Sequence, residues 1–233
     1  GLGASNITVT RSEIARSSAG GVVVGGVRAD AHHPADQRMV NRNITVSHNR
    51  IHDLGVEYRG NVSVLNTYVS TATVAHNEVY NMPYSGLSIG YGWGANDAGG
   101  NTNYANRGLY NYQPRYTTPT TASNNRLINN YVHDVMQQMN DGGCIYTLAW
   151  NPGASISGNH CQRTNGYFGI YFDEGSTVAR GQLLLRINSS ELQAQRERVS
   201  AVAAVRAEER RRSRLTGRAA ILVLVLAVLV GLA

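Results

Sequence analysis

The sequence predicts an all-β parallel solenoid over residues 1–177, and three observations carry that expectation. First, one pattern recurs: an Asn followed by an apolar residue, then about ten residues later a Gly that opens a short apolar strand. Asn130-Tyr131-Val132-His133-Asp134 precedes Gly143-Cys144-Ile145-Tyr146, and Asn159-His160-Cys161 precedes Gly169-Ile170-Tyr171-Phe172. Second, the period is nearly constant, 29 residues from Asn130 to Asn159 and 28 from Asn49 to Asn77. Third, Asn and Gly stand between the strands, where both tolerate the left-handed backbone of a tight bend. A fixed period of this size built from short β-prone pieces is the mark of coils stacked one on another.

The elements follow in chain order. Ser5–Ile14 alternates apolar and polar residues as a half-buried strand does. Gly20-Gly21-Val22-Val23-Val24-Gly25-Gly26 is a second strand bracketed by glycine turns, and 29–41, with His32-His33-Pro34, reads as a loop extruded from the coil. Asn43–Asp53 restates the opening strand, Thr73–Asn81 restates it again, and Gly86-Leu87-Ser88-Ile89-Gly90 supplies that coil's next strand. Between about residues 92 and 123 the repeat gives way to Asn, Gly, Thr and Tyr, an insert long enough to be functional or disordered. The pattern resumes at Asn125, giving four clear coils and one partial coil at the start. Asn residues at equivalent corners suit side-chain ladders along the stack. A sandwich of antiparallel strands is the competing fold, disfavoured because Asn-Gly hairpin dipeptides are almost absent.

Charge divides along the chain. Residues 1–177 hold 11 Arg against 11 Asp and Glu, whereas 178–233 hold 10 Arg against 4 Glu. The basic excess therefore lies wholly in the tail, and the β domain has no nucleic-acid signature. Residues 178–218 form a basic, helix-prone linker. Residues 219–233 are an apolar run of 15, shorter than the roughly 20 that span a bilayer, and read as a truncated membrane helix. The arginines before it place that flank in the cytoplasm. Beginning at Gly1 inside a repeat, the chain reads as a fragment, with two unrelated pieces joined near 177–181. Cys144 and Cys161 make no disulfide framework and are expected as small buried hydrophobes. His32-His33 lacks spaced partners, so neither metal nor cofactor is expected.

Val132-His133-Asp134, the segment Asp141-Gly142-Gly143-Cys144-Ile145-Tyr146-Thr147-Leu148 and Gly169-Ile170-Tyr171-Phe172-Asp173-Glu174-Gly175-Ser176 together resemble right-handed parallel β-helix proteins of the pectate-lyase-like superfamily. More narrowly they resemble glycoside hydrolase family 141, whose members act on fucosylated or xylan-type plant polysaccharides. The resemblance implies a carbohydrate partner, an extracellular or cell-surface location for the β-helix, and catalytic roles for Asp141 and Asp173. Arg214–Leu222 and the apolar run resemble the start of actinobacterial septum formation initiator proteins, which implies a membrane-anchored tail.

Glycoside hydrolysis needs a carboxylic acid and a carboxylate about 5–9.5 Å apart. Asp141, standing before two glycines, and Asp173, ending an apolar strand, are the candidate pair. With Gly143 aligned on Gly169, six residues of extended chain separate them, so they meet only if the backbone bends at Gly142-Gly143; otherwise Glu174 or Asp134 becomes the partner. His52, His76 and His133 near their corner asparagines suggest a histidine column for substrate hydroxyls, or a structural ladder. Tyr91 and Trp93, with Tyr104, Tyr110 and Tyr112, suit stacking on sugar rings, and Tyr84 and Tyr146 join them as candidate substrate-binding residues. A polysaccharide lyase would instead use Ca²⁺ and a basic residue, with Arg107, Arg115 and Arg126 as candidates but no Asp cluster of Ca²⁺ spacing. A non-catalytic carbohydrate-binding solenoid is the third reading.

Overall fold

The computed structural model describes residues 2–165 and 168–177. The expected membrane segment and basic linker lie outside those residues. Among the described residues no helix is long and apolar enough to cross a membrane.

Each coil contributes three short strands. The first holds β1 (Ser5–Thr10), β2 (Glu13–Ala15) and β3 (Val22–Val24). A loop with a one-turn helix, α1 (Ala29–His32), leads to the second coil: β4 (Arg42–Ser47), β5 (Arg50–His52) and β6 (Val64–Asn66). The third is β7 (Thr73–Ala75), β8 (Glu78–Tyr80) and β9 (Leu87–Ile89). The insert carries α2 (Thr102–Asn106). The fourth coil is β10 (Arg126–Ile128), β11 (Tyr131–Val135) and β12 (Gly143–Thr147), and the fifth is β13 (Ser155–Ser157), β14 (His160–Thr164) and β15 (Phe168–Phe172).

Every strand pairs in parallel with its equivalents in neighbouring coils. The result is three five-stranded sheets in the orders β1-β4-β7-β10-β13, β2-β5-β8-β11-β14 and β3-β6-β9-β12-β15. This is a parallel β-helix, and the opening coil is complete rather than partial.

The inward columns explain the repeat. Val9, Val46, Val74, Leu127 and Ile156 share one register; Ile14, Ile51, Val79, Val132 and Cys161 the second; Val22, Val64, Leu87, Ile145 and Ile170 the third. Stacked branched side chains leave the central members of each column with essentially no exposed surface.

Corners between the first and second sheets are held by an asparagine ladder. Asn49 Nδ2 donates to Asn77 Oδ1, Asn77 Nδ2 to Asn130 Oδ1 and Asn130 Nδ2 to Asn159 Oδ1, each at 2.9 Å. The sequence separations are 28, 53 and 29, so the middle step alone contains the insert. Beside the ladder the chain passes through the left-handed region at His48 (φ 56), His76 (φ 55) and Asn129 (φ 52), residue types that enter it more readily than most.

The structure corrects three expectations. Gly143 pairs with Phe168, not Gly169, so Tyr146 lies beside Tyr171 and the strands are one residue out of the aligned register. His76 does not join the column of His52 and His133; it stacks on His48 at a different corner. Cys144 and Cys161 are bonded to each other rather than free. The bond ties β12 of the third sheet to β14 of the second, because the two sheets converge inside the coil.

A link of this kind restricts the unfolded chain most directly, by about 3 kcal/mol for a loop of this size. Reduction is therefore expected to lower the unfolding temperature by roughly 6–12 °C in a domain of this length. Thermal scans with and without reductant check it; coincident scans would show that the link carries no stability.

Candidate functional site

On the outer face of the third sheet, Val23, Leu65, Ser88, Tyr146 and Tyr171 follow one another in register. The last two rings stack with centroids 5.3 Å apart. Their hydroxyls organise the two candidate acids. Tyr146 donates to Asp173 Oδ2, just past the end of β15. Tyr171 donates to Asp141 Oδ1 at 3.1 Å, just before β12. The charge of Asp173 also acts on the Tyr171 hydroxyl. The two acids are thus held by the hydroxyls of neighbouring, stacked tyrosines. Asp141 and Asp173 are therefore tied to one stacked tyrosine pair, each to its own ring.

The backbone turns at Asp141 itself rather than at Gly142-Gly143. Asp141 is left-handed at φ 61. Gly142 follows because nothing larger fits: a Cβ there would lie 2.4 Å from Ser85 Oγ and 2.8 Å from the Tyr84 ring. Tyr84 closes the cluster by donating to the Asp141 carbonyl at 2.5 Å and meeting Tyr146 edge to face. Burial and the adjacent carboxylates push the Tyr146 and Tyr84 hydroxyls above the ordinary tyrosine value, and that of Tyr171 to about 12. All three thus stay protonated donors at neutral pH. Asp141 is exposed and Asp173 half-exposed, so both reach solvent.

Glu174 points elsewhere. Its Oε2 lies 3.5 Å from Asn101 Nδ2, which also donates to the Trp93 carbonyl, and Gly94 packs backbone to backbone against Gly175. Trp93 and Tyr91 stand in the insert, rings 5.8 Å apart. They border a cavity of about 540 Å³ together with His32 and Tyr104. Through the Asn101–Glu174 contact the insert adjoins the segment that carries Asp173.

His52 and His133 belong to a different face. They sit on the second sheet with Tyr80 between them, rings stacked at 4.5 and 5.0 Å. His52 Nδ1 and Nε2 are engaged by Asp53 and Glu13, at 2.6 and 2.9 Å. His133 Nδ1 lies 2.7 Å from Asp134, whose carboxylate is held well below its usual range by Arg163 and His133. Asp134 is consequently bound in this ion pair and is not a partner of Asp141.

Two features escaped sequence reasoning. Tyr171 reads in the sequence only as a strand residue, and aligning Gly143 on Gly169 hides that it lies beside Tyr146. His32 is buried, and burial together with neighbouring His33 pushes it down to about 4. As pH falls, the unfolded chain then takes up a proton at an ordinary histidine value while the folded chain does not. Stability from neutral His32 is therefore complete above about pH 6.5 and is lost between 6.5 and 4, by roughly 3 kcal/mol in all. Hydrogen exchange of the insert is expected to accelerate over that window, and His32→Gln to flatten the profile.

No protein-family model matches the chain, and neither does any curated protein. Among solved structures it is similar to one described as a glycoside hydrolase, with a TM-score of 0.55 and 24% identity, covering 71% of this chain and 25% of that one. The chain thus spans a quarter of that structure's length. At this identity the likeness concerns the fold, and it agrees with the parallel β-helix described above.

Proposed function

We propose that the β-helix is carbohydrate-active, and specifically a glycoside hydrolase of the family 141 type that cleaves polysaccharide with Asp141 and Asp173. The supporting observation is that Tyr146 and Tyr171, stacked on neighbouring coils, each hold one of the two carboxylates. The reaction needs two carboxyl groups about 5–9.5 Å apart. One carboxyl group protonates the leaving glycosidic oxygen; the other attacks the anomeric carbon or activates water. Tyr84, Tyr146 and Tyr171 fix the pair, and Glu174, on the insert side, contacts substrate rather than the cleaved bond. The Cys144–Cys161 bond supports an extracellular or cell-surface location, since such bonds persist in oxidising compartments.

A lyase finds less support. Among the described residues no arginine bonds to Asp141, Asp173 or the three tyrosines; Arg115 is committed to the Gly99 carbonyl and Arg126 is exposed on the first sheet. The test is product chemistry with the full chain on a polysaccharide panel. New reducing ends without ultraviolet-absorbing unsaturated ends are expected. Unsaturated ends would overturn the hydrolase in favour of a lyase, and saturable binding without products would leave a carbohydrate-binding solenoid.

A further inference from the structure

The cavity between the insert and the α1 segment has a composition unlike that of the acid cluster. Its walls are aromatic and apolar, with Tyr91, Trp93, Tyr104, Tyr112 and Tyr116 prominent, and no Asp, Glu or Arg is among its described lining residues. At about 540 Å³ it falls within the range of small-molecule sites. Polar groups remain unspent at its edge. His32 is 4% exposed; its Nδ1 is taken by His33 Nδ1 at 2.6 Å, while its Nε2 makes no hydrogen bond among the described residues. Asn96 uses its Nδ2 on the Tyr68 hydroxyl at 2.8 Å, which leaves its carbonyl oxygen.

Aromatic faces bounded by amide and imidazole edges suit a ligand with an apolar ring face and a hydroxyl rim. An ionised ligand would lose water there without gaining an opposite charge. We propose that this cavity is a binding subsite for an uncharged sugar ring, stacked on Trp93 and its tyrosine neighbours and hydrogen-bonded by His32 Nε2. It rests on the carbohydrate reading above and deepens it: because Asn101 of the insert reaches Glu174, next to Asp173, one glycan chain would occupy both, with a neutral residue held in the insert. His32, titrating near pH 4, stays uncharged through the neutral range and so adds no charge to the subsite.

Binding to the full chain is measured by tryptophan fluorescence and calorimetry. The probes are neutral xylo-, cello- and manno-oligosaccharides, with oligogalacturonate of equal length as the charged counterpart. At least one neutral series is expected to bind and oligogalacturonate to bind at least tenfold more weakly. Trp93→Ala and Tyr112→Ala, the latter at a side chain already 88% exposed, should each weaken neutral binding about tenfold. Binding should persist in Asp141→Asn and Asp173→Asn. Equal or tighter oligogalacturonate binding, no neutral binding, or indifference to both insert variants overturns the subsite. Turnover that depends on the two acids together with binding that ignores the insert would defeat the subsite while leaving the hydrolase intact. Binding that follows the insert without any turnover would do the reverse.

Discussion

Asn77→Ala is expected to lower stability by roughly 3–5 kcal/mol, at about 1–3 kcal/mol for each buried group left without a partner. Asn77 sits mid-ladder with almost no exposed surface. Its Oδ1 accepts from both the backbone N–H and the side chain of Asn49, at 3.1 and 2.9 Å. Its Nδ2 donates to Asn130 Oδ1 and to the Val46 carbonyl, each at 2.9 Å. Alanine removes all four bonds and leaves the Asn49 donors and the Val46 carbonyl sealed from water. Asn159→Ala, at the half-buried end of the ladder, should cost clearly less, because solvent replaces part of what is lost. Urea titration of both variants decides it. Equal losses, or a loss below about 1 kcal/mol for Asn77→Ala, would show that the ladder is ornamental to stability.

Asp173→Asn and Asp141→Asn are each expected to reduce turnover about 10²–10⁴-fold, the usual worth of a positioned acid or base. The amide keeps the size and the acceptor oxygen for Tyr146 or Tyr171, so the fold should survive; thermal scans verify that. Tyr146→Phe deletes a hydrogen bond to a carboxylate, worth about 1.5–3 kcal/mol, and should slow turnover by roughly 10–100-fold. It should do so through kcat rather than KM if the hydroxyl positions Asp173 instead of touching sugar. Glu174→Gln, by contrast, should act mainly on KM. Unchanged turnover in both Asp variants would remove the pair from catalysis.

Much of this was legible in the sequence. The Asn-apolar strand pattern gave the corners because each Asn satisfies the coil before it, so its spacing is the coil length. The insert was visible as a gap in that spacing, and Asp141 and Asp173 stood out as acids at strand ends beside glycines. What was hidden depends on how coils face one another. Pairing Gly143 with Gly169 honoured residue type, but the ladder hydrogen bonds set the register one residue over, which brings Tyr171 beside Tyr146 and within reach of Asp141. Cys144 and Cys161 belong to different sheets, and only the closing of the coil brings them together. His48 and His76, 28 residues apart and each just before a ladder asparagine, follow the coil period, whereas His52 and His133 are joined by Tyr80, a residue of another type.

The most direct test of the carboxylate pair is a crystal structure of the Asp173→Asn full chain with a bound neutral oligosaccharide. A glycosidic oxygen lying between positions 141 and 173, with the two side-chain carbonyl carbons about 5–9.5 Å apart, is the expected result. A separation beyond about 15 Å, or a sugar seated away from both residues, would contradict the account.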